Sequence, residues 1–213
     1  MAEILVFCAH PDDEIFGVGG TIAKYAKEGK ETVTVICSDG ESSHPWLKEE
    51  YKIRMRREES TKAGNIVKAK ETIFLGLRDG KLNKDMNTRG NLLRIKEIIK
   101  KEKPKKIFTH SIDDPHPDHR GVFRAVKKAL SKPQYRGALY SFEIWNIANL
   151  KKRHLPKMYV DISKTMPLKI KALKMFRSQI GSLIPLLPAV YVKSFFAGLH
   201  AHCKYAEVFY KVD

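Results

Sequence analysis

ILVFCAHPDDEIFGVGGT, residues 4–21, decides the fold. The apolar run Ile4 to Cys8, closed by a proline, reads as a buried strand, and a helix follows from about Gly17 to Glu28, ending at Gly29 as helix ends commonly do. Between them stand Ala9-His10-Pro11-Asp12-Asp13-Glu14, at the strand's carboxyl end. In open α/β sheets that end faces the ligand crevice. One histidine, two adjacent aspartates and a glutamate repel too strongly to be gathered there for packing alone. A divalent cation removes that cost, because it turns repelling carboxylates into ligands and favours their ionised form.

Outward from this stretch, strand and helix patterns alternate. Thr32 to Cys37 is β-branched and apolar, a second buried strand, and Ser38-Asp39-Gly40 is a turn. Ser42 to Lys52 is a polar loop holding Pro45 and Trp46, either a substrate lid or an ordinary surface loop. Arg54 to Val67 reads as a charged amphipathic helix, Thr72 to Leu75 as a short strand, Leu92 to Lys101 as a helix and Lys106 to Thr109 as a strand that delivers His110. A polar loop, Ser111 to Pro115, leads into His116-Pro117-Asp118-His119-Arg120, where Pro117 suits a first helical turn and Val122, Val126 and Leu130 form the apolar stripe. Alternation over residues 3 to 131 argues βαβ units on a parallel sheet. After Pro133 it lapses: Ala138 to Ile144, Met158 to Ile162 and Lys204 to Val212 read as strands and Leu168 to Phe176 as a helix. The apolar, aromatic segment Leu183 to Leu199 contains Pro185 and Pro188, which argue against a membrane helix. It reads as a cleft wall or a subunit interface, with a core-packing loop as the plainer alternative. The organisation expected is a single domain, 1–213, in which 1–131 carry the site and 132–213 complete the cleft.

Composition narrows the partners. A chain of 213 residues, 43% hydrophobic, buries a real core, and its three cysteines, Cys8, Cys37 and Cys203, show no C-x-x-C pairing and read as reduced thiols. No amino-terminal leader pattern and no apolar run of membrane-spanning length is visible, so the expectation is a cytoplasmic protein without a membrane span. The formal charge of +16, from 40 Lys and Arg against 24 Asp and Glu, admits nucleic acid, an anionic surface or an acidic substrate. The basic residues are spread in pairs and triplets such as Lys100-Lys101, Lys105-Lys106 and Lys151-Lys152-Arg153, with no RNP-like aromatic cluster and no finger spacing, so no dedicated nucleic-acid partner is expected.

A zinc hydrolase needs about three N or O ligands, an open position for water and a carboxylate base beside it. His10 and Asp13, three apart across a strand-to-helix turn, can point at one ion. His116 and His119 share a helix face, and one of them can complete the set while the other stays free. Asp12 projects differently from Asp13 and is available as base. A nucleotide-binding module is the rival from another class. Its phosphate fingerprint places G-x-G-x-x-G straight after the strand, whereas here HPDDE intervenes before Gly17, Gly19 and Gly20, and carboxylates would repel a pyrophosphate.

AHPDDE (9–14) and PHPDHR (115–120), supported by GGTIAKY (19–25), Arg56 and Glu59 in R-x-x-E, LGLRDG (75–80) and YAEVF (205–209), resemble the signatures of the LmbE-like, or PIG-L, zinc-dependent N-acetylglucosaminyl deacetylases. The resemblance spans most of the chain. It implies a Rossmann-like α/β fold, an open, mostly parallel twisted sheet with helices on both faces. It also implies removal of an N-acetyl group from an N-acetylglucosamine-containing small molecule, with release of acetate and a free amine. By the same resemblance His10, Asp13 and His119 are ligands of Zn2+ or another divalent metal, and Asp12 is the general base. His116 is the electrophile or acid beside the tetrahedral intermediate, with Asp118 orienting its ring, and Arg56 and Asp79 hold sugar hydroxyls. Glu14 reads as structural at the helix start. His110, His200 and His202 are left outside the site, His44 and His154 sit in polar loops, and a homo-oligomer is expected from the Leu183 to Leu199 segment.

Overall fold

A computed structural model describes residues 1–43, 46–130, 135–144 and 155–212, with the side chain of Ser182 left aside. His44, Pro45, Pro133, His154 and the triplet Lys151-Lys152-Arg153 lie outside the described residues. Seven strands form one sheet in the order β3-β2-β1-β4-β5-β7-β6. They are β1 (Ile4–Cys8), β2 (Thr32–Ser38), β3 (Glu71–Leu77), β4 (Lys106–His110), β5 (Ala138–Phe142), β6 (Lys157–Asp161) and β7 (Ala206–Val212). The first five run parallel, and β7 enters antiparallel between β5 and β6. The helices are α1 (Asp13–Lys27), α2 (Glu49–Val67), α3 (Leu82–Asp85), α4 (Arg89–Glu102), α5 (Pro117–Ala129), α6 (Met166–Leu173) and α7 (Ile180–His200).

Every residue of β1 is buried because both faces of the sheet are covered. Ile4, Val6 and Cys8 pack with Ile15, Val18 and Ile22 of α1 and with residues of α2, α6 and α7. Leu5, Phe7 and Ala9 face the other way, toward Leu82 of α3, Ile95 and Ile99 of α4 and Val122 and Val126 of α5. The period of two along the strand thus sorts one apolar run into two cores. The crossovers through α1 and α2 lie on one face and those through α4 and α5 on the other. The reversal falls between β1 and β4, which are adjacent. That switch point opens a crevice at the carboxyl ends of both strands, where His10 follows β1 and His110 ends β4.

Among the differences from the sequence reading, those at α1, α2 and α7 bear on the site. Helix α1 begins at Asp13 and not at Gly17, because Asp13 and Glu14 in its first turn complement the helix's positive end and the glycines are needed inside it. A Cβ on Gly20 would lie 2.8 Å from Ile162 Cδ1. Helix α2 begins at Glu49, so the end of the supposed lid is helical, while Ser42 is tied down by donating its N–H to Asp79. The segment around Pro185 and Pro188 is neither loop nor broken: α7 runs unbroken for 21 residues. The two prolines remove N–H donors that would have served the carbonyls of Gly181 and Ile184, and both of those residues are exposed, so water can serve instead. By length and composition Leu183–His200 could cross a membrane; 28% of it is buried, and α7 packs on β7 and β6.

Helix α5 is placed by a close approach that only glycine permits. A Cβ on Gly121 would meet the Asn83 backbone of α3, 2.6 Å from Cα and 2.7 Å from N. Gly121→Ala should push α5 off α3 and cost about 2 kcal/mol or more of stability in urea unfolding. An unchanged midpoint would show that the two helices can separate freely.

Candidate metal centre

Two helix amino-termini converge on the switch-point crevice. At the start of α1, Asp13 Oδ2 accepts the His10 N–H at 2.8 Å, which folds the Pro11-Asp12 turn back on itself. At the start of α5, His116 is the N-cap: its Nδ1 accepts the Asp118 N–H at 3.2 Å, and Pro117 fills the first helical position.

Asp13 Oδ2 is the centre of the cluster. It lies 3.4 Å from His10 Nδ1, 3.5 Å from His119 Nε2 and 3.2 Å from His110 Nε2. Asp13 and His119 are buried, and His10 and His116 are partly open to the crevice. The rings of His10 and His119 are 5.5 Å apart, those of His116 and His119 4.7 Å, and His110 stacks on His119 at 3.8 Å. The expected ligands His10, Asp13 and His119 are therefore brought together. Ligand atoms lie close enough to share an ion in three overlapping groups: His10, His116 and His119; Asp13, His110 and His119; and His10, Asp79 and Asp118. Atoms bound at 2.0–2.2 Å to a tetrahedral ion stand roughly 3.3–3.6 Å apart. Asp13 Oδ2 meets that requirement toward His10 Nδ1 and toward His119 Nε2 taken one at a time, while none of the three groups holds His10, Asp13 and His119 together; the imidazole and carboxylate donors of the cluster as a whole fit a small divalent cation.

The charges are tuned by the same contacts. Burial opposes ionisation of Asp13, but the imidazoles of His119, His110 and His10 outweigh it and hold the carboxyl well below the usual range. Burial would lower His10, yet the carboxylates of Asp118, Asp13 and Asp79 raise it well above the ordinary imidazole value. His116 and His119 are lowered, chiefly by burial. Asp12 is pushed up to about 7 by burial, with the Arg56 guanidinium opposing. Its backbone is strained, with φ 119° and ψ −31° at the cap of α1 and no capping bond from its side chain. Two buried side chains hold that conformation. Glu14 Oε2 accepts the Asp12 N–H at 2.9 Å, and its other oxygen accepts Ser60 Oγ–H at 2.7 Å. Arg56 Nη2 donates to Pro11 O at 2.6 Å and lies 3.6 Å from Asp12 Oδ2.

Asp118 meets His116 through its backbone N–H, which donates to the ring's Nδ1. The carboxylate turns away, accepting Gly80 N–H at 2.7 Å and Leu82 N–H at 3.0 Å and standing 3.4 Å from His10 Nε2. Asp79 likewise faces His10, with Oδ1 at 3.1 Å from Nε2. Two residues went unrecognised in the sequence. Asp114, fully buried, lies 3.0 Å from His119 Nδ1 and also accepts the His116 N–H; its only signal was an acid just ahead of the second motif. His110, set aside above, accepts the Ala9 N–H on Nε2 at 2.9 Å and so locks β4 to β1 beneath the site. His200 and His202 join none of the three groups; His200 ends α7, facing Tyr159. A cavity of about 490 Å³ lies between α7 and the β5-β7-β6 edge, lined among others by Phe16, Phe142, Ile144, Val190 and Lys193. Phe142 is also in contact with His110, with ring centroids 4.8 Å apart, so one residue lining this space packs behind the centre.

Residues 5–130 match the family model described as PIG-L: GlcNAc-PI de-N-acetylase. Diacetylchitobiose deacetylase of Thermococcus kodakarensis is 26% identical over 192 residues, which cover 83% of this chain and 70% of that protein. The structure of N,N'-diacetylchitobiose deacetylase from Pyrococcus horikoshii superposes with a TM-score of 0.82 at 25% identity, covering 98% of this chain and 83% of that one. The 4-carboxy-2-hydroxymuconate hydratase GalB from Pseudomonas putida KT2440 shares the fold, with a TM-score of 0.83 at 22% identity, covering 100% of this chain and 97% of that one.

The raised Asp12 value carries a stability consequence in the metal-free protein. Unfolded, the group titrates near 4; folded, near 7, so the native state binds its proton more tightly. Its stabilising share is complete below about pH 4 and lost as the pH rises to 7. Asp12→Asn removes this term and tolerates the positive φ. The urea stability of the variant minus that of wild type should rise by on the order of 1–3 kcal/mol between pH 4 and pH 8; a flat difference would mean that Asp12 is not desolvated.

Proposed function

This chain belongs to the PIG-L family of deacetylases, and from that premise we propose that it is a metal-dependent hydrolase that removes the N-acetyl group from an N-acetylglucosamine-containing substrate, releasing acetate and a free amine. The observation that carries this reading is the placing of Asp13 Oδ2 within 3.5 Å of both His10 Nδ1 and His119 Nε2 at a crevice open to solvent.

His10, Asp13 and His119 would hold the ion. Two imidazoles and a carboxylate suit Zn2+, and they accept iron or cobalt as well. When bound, such a cation polarises an acetamide carbonyl and acidifies a water. The protein's own groups supply the rest. Asp12, desolvated and held beside the ligand Asp13, takes the water's proton, its carboxyl lying near the pH at which a general base works best. His116 stands in the neutral form. Because Nδ1 accepts the Asp118 N–H, its single proton is on Nε2, from where it donates to the oxygen that gains charge. A neutral imidazole gives up that proton at great cost, so Asp12, protonated by the first step, returns its proton to the departing amine. Arg56 braces Pro11 and Asp12 from a buried position, and the sugar-hydroxyl contact proposed for it rests on the family resemblance. Residues 1–131 and 132–213 act as one domain in this reading, with α7 and the cavity beside it forming the aglycone side of the cleft. The exposed Tyr191, Phe195, Phe196 and Leu199 of α7 support a homo-oligomer, and the free, buried Cys8 and Cys37 support a reducing, cytoplasmic setting.

Acetate release should be measured on N,N'-diacetylchitobiose and on N-acetylglucosaminides of inositol and of a carboxylate-bearing aglycone, with the metal content determined. At least one should be turned over, with activity lost on chelation and restored by Zn2+; a metal-loaded protein that releases acetate from none of them would overturn the reading. Asp12→Asn should lower kcat by 10²–10⁴ with one ion still bound. His116→Ala should cost about 10²–10³ and His116→Gln, which keeps an N–H donor, clearly less. Equal losses in the two His116 variants would remove the neutral-donor role.

A further inference from the structure

We propose that Asp79 and Asp118 are positioning residues for His10: together they hold the proton on its Nε2 and so present Nδ1 to the metal. The inference rests on His10 being a ligand, as proposed above, and it goes beyond that reading by giving the two carboxylates a role toward the ligand and not toward the sugar or His116.

The two nitrogens of His10 look in opposite directions. Nδ1 lies 3.4 Å from Asp13 Oδ2, the atom that also reaches His119 Nε2 at 3.5 Å. Nε2 lies 3.1 Å from Asp79 Oδ1 and 3.4 Å from Asp118 Oδ2. Neither carboxylate is free to swing. Asp118 is gripped by two backbone N–H groups, Gly80 at 2.7 Å and Leu82 at 3.0 Å, while Asp79 Oδ2 accepts the Ser42 N–H at 3.2 Å. The Asp79 backbone is fastened in turn, donating its N–H to Glu41 Oε1. Three separate segments, 41–42, 79–82 and the first turn of α5, therefore close on one edge of one imidazole. A ligating histidine carries its proton on the nitrogen away from the metal, and the acceptor of that proton fixes both tautomer and ring plane. Around His119 the placement is reversed, with Asp114 Oδ1 3.0 Å from Nδ1, close but not aligned as a hydrogen bond, and Nε2 3.5 Å from Asp13 Oδ2. The two imidazoles thus approach the ion by different nitrogens, each backed by buried or nearly buried carboxylate.

The competing arrangement puts the ion on the other edge, with His10 Nε2, Asp79 and Asp118 as its ligands. The test is a long-range 1H–15N correlation spectrum of the zinc-loaded, 15N-histidine-labelled chain, together with Zn2+ affinity by competition with a chelating dye. For His10 the metal shift should fall on Nδ1 and the proton on Nε2. Asp79→Asn and Asp118→Asn should each weaken Zn2+ by about 10- to 100-fold with one ion per chain retained, and Asp79→Asn should leave KM within about twofold when the enzyme is saturated with zinc. A metal shift on Nε2 overturns the proposal. So does Asp79→Asn with unaltered zinc affinity and a raised KM, the mark of a sugar contact. If Asp118→Asn fails to fold through loss of its hold on Gly80 and Leu82, Asp79→Asn and the wild-type spectrum still decide. Wild-type protein with the expected His10 pattern but no acetate release would sink the deacetylase reading and leave this one standing.

Discussion

The structure depends on one constraint: six carboxylates, those of Asp12, Asp13, Glu14, Asp79, Asp114 and Asp118, must share a single end of the sheet with little access to water. Like charges so placed repel strongly in a medium less polarisable than water. The chain's charge of +16 does little locally, since most of its cations are solvated side chains far from the crevice. Compensation comes from nearer groups. Four imidazoles stand among the carboxylates, and Asp13 and Asp118 sit in the first turns of α1 and α5, where helix dipoles favour negative charge. Backbone N–H groups of His10, Asp12, Ser42, Gly80, Leu82 and His116 each donate to one of the acids. Glu14 and Asp12 are the exceptions: burial wins, and their carboxyls rise to about 8 and about 7. The groups left under-compensated are those next to the crevice opening and directly under it.

Strain follows from the same crowding. For Asp13 to point into the cluster while α1 continues behind it, the chain must turn within two residues of Pro11, and Asp12 absorbs the turn at φ 119°. Such a conformation costs of order 1–3 kcal/mol and persists only where neighbours over-determine it. Glu14 and Arg56 do so from opposite sides, one gripping the Asp12 N–H and the other the Pro11 carbonyl. Gly40 packs against the Arg56 guanidinium, where a Cβ would lie 2.9 Å from Nε. The sequence separations are large, and the physical unit is small.

What could be read in advance was local. The strand before His10, the turn through Pro11 and the helix opening at Pro117 are each written within about ten residues, so AHPDDE and PHPDHR could be placed at strand ends with His10, Asp13 and one of His116 and His119 as candidate ligands, the choice of His119 coming from the family resemblance. Directions of side chains across elements were not legible. The family resemblance implied that Asp118 orients His116 without saying by which atom, and at this N-cap it is the backbone N–H of residue 118 that meets the cap side chain. That frees the carboxylate to cross to the loop at 80–82 and to His10. Asp114 was invisible for the complementary reason: nothing in Ser111 to Pro115 says which acid turns inward. That the segment around the two prolines is helical was not legible either, because a breaker's cost depends on whether water can reach the orphaned carbonyls, which is a property of the finished surface.

The fold alone leaves the reaction undetermined, since a hydratase shares it over the whole chain. What separates the chemistries is where the protons are held. In the reading proposed here acetamide hydrolysis uses a base that gives back the proton it takes and a donor that keeps its own. Asp12 and His116 differ in that sense, because burial disfavours the charged form of each and so moves their pKa values in opposite directions, upward for the carboxyl and downward for the imidazole. Each is fixed by a backbone contact to its own helix start, Glu14 to the Asp12 N–H and the Asp118 N–H to His116. The proton inventory is therefore built into two helix caps, and the sheet's part is to bring those caps together at one opening.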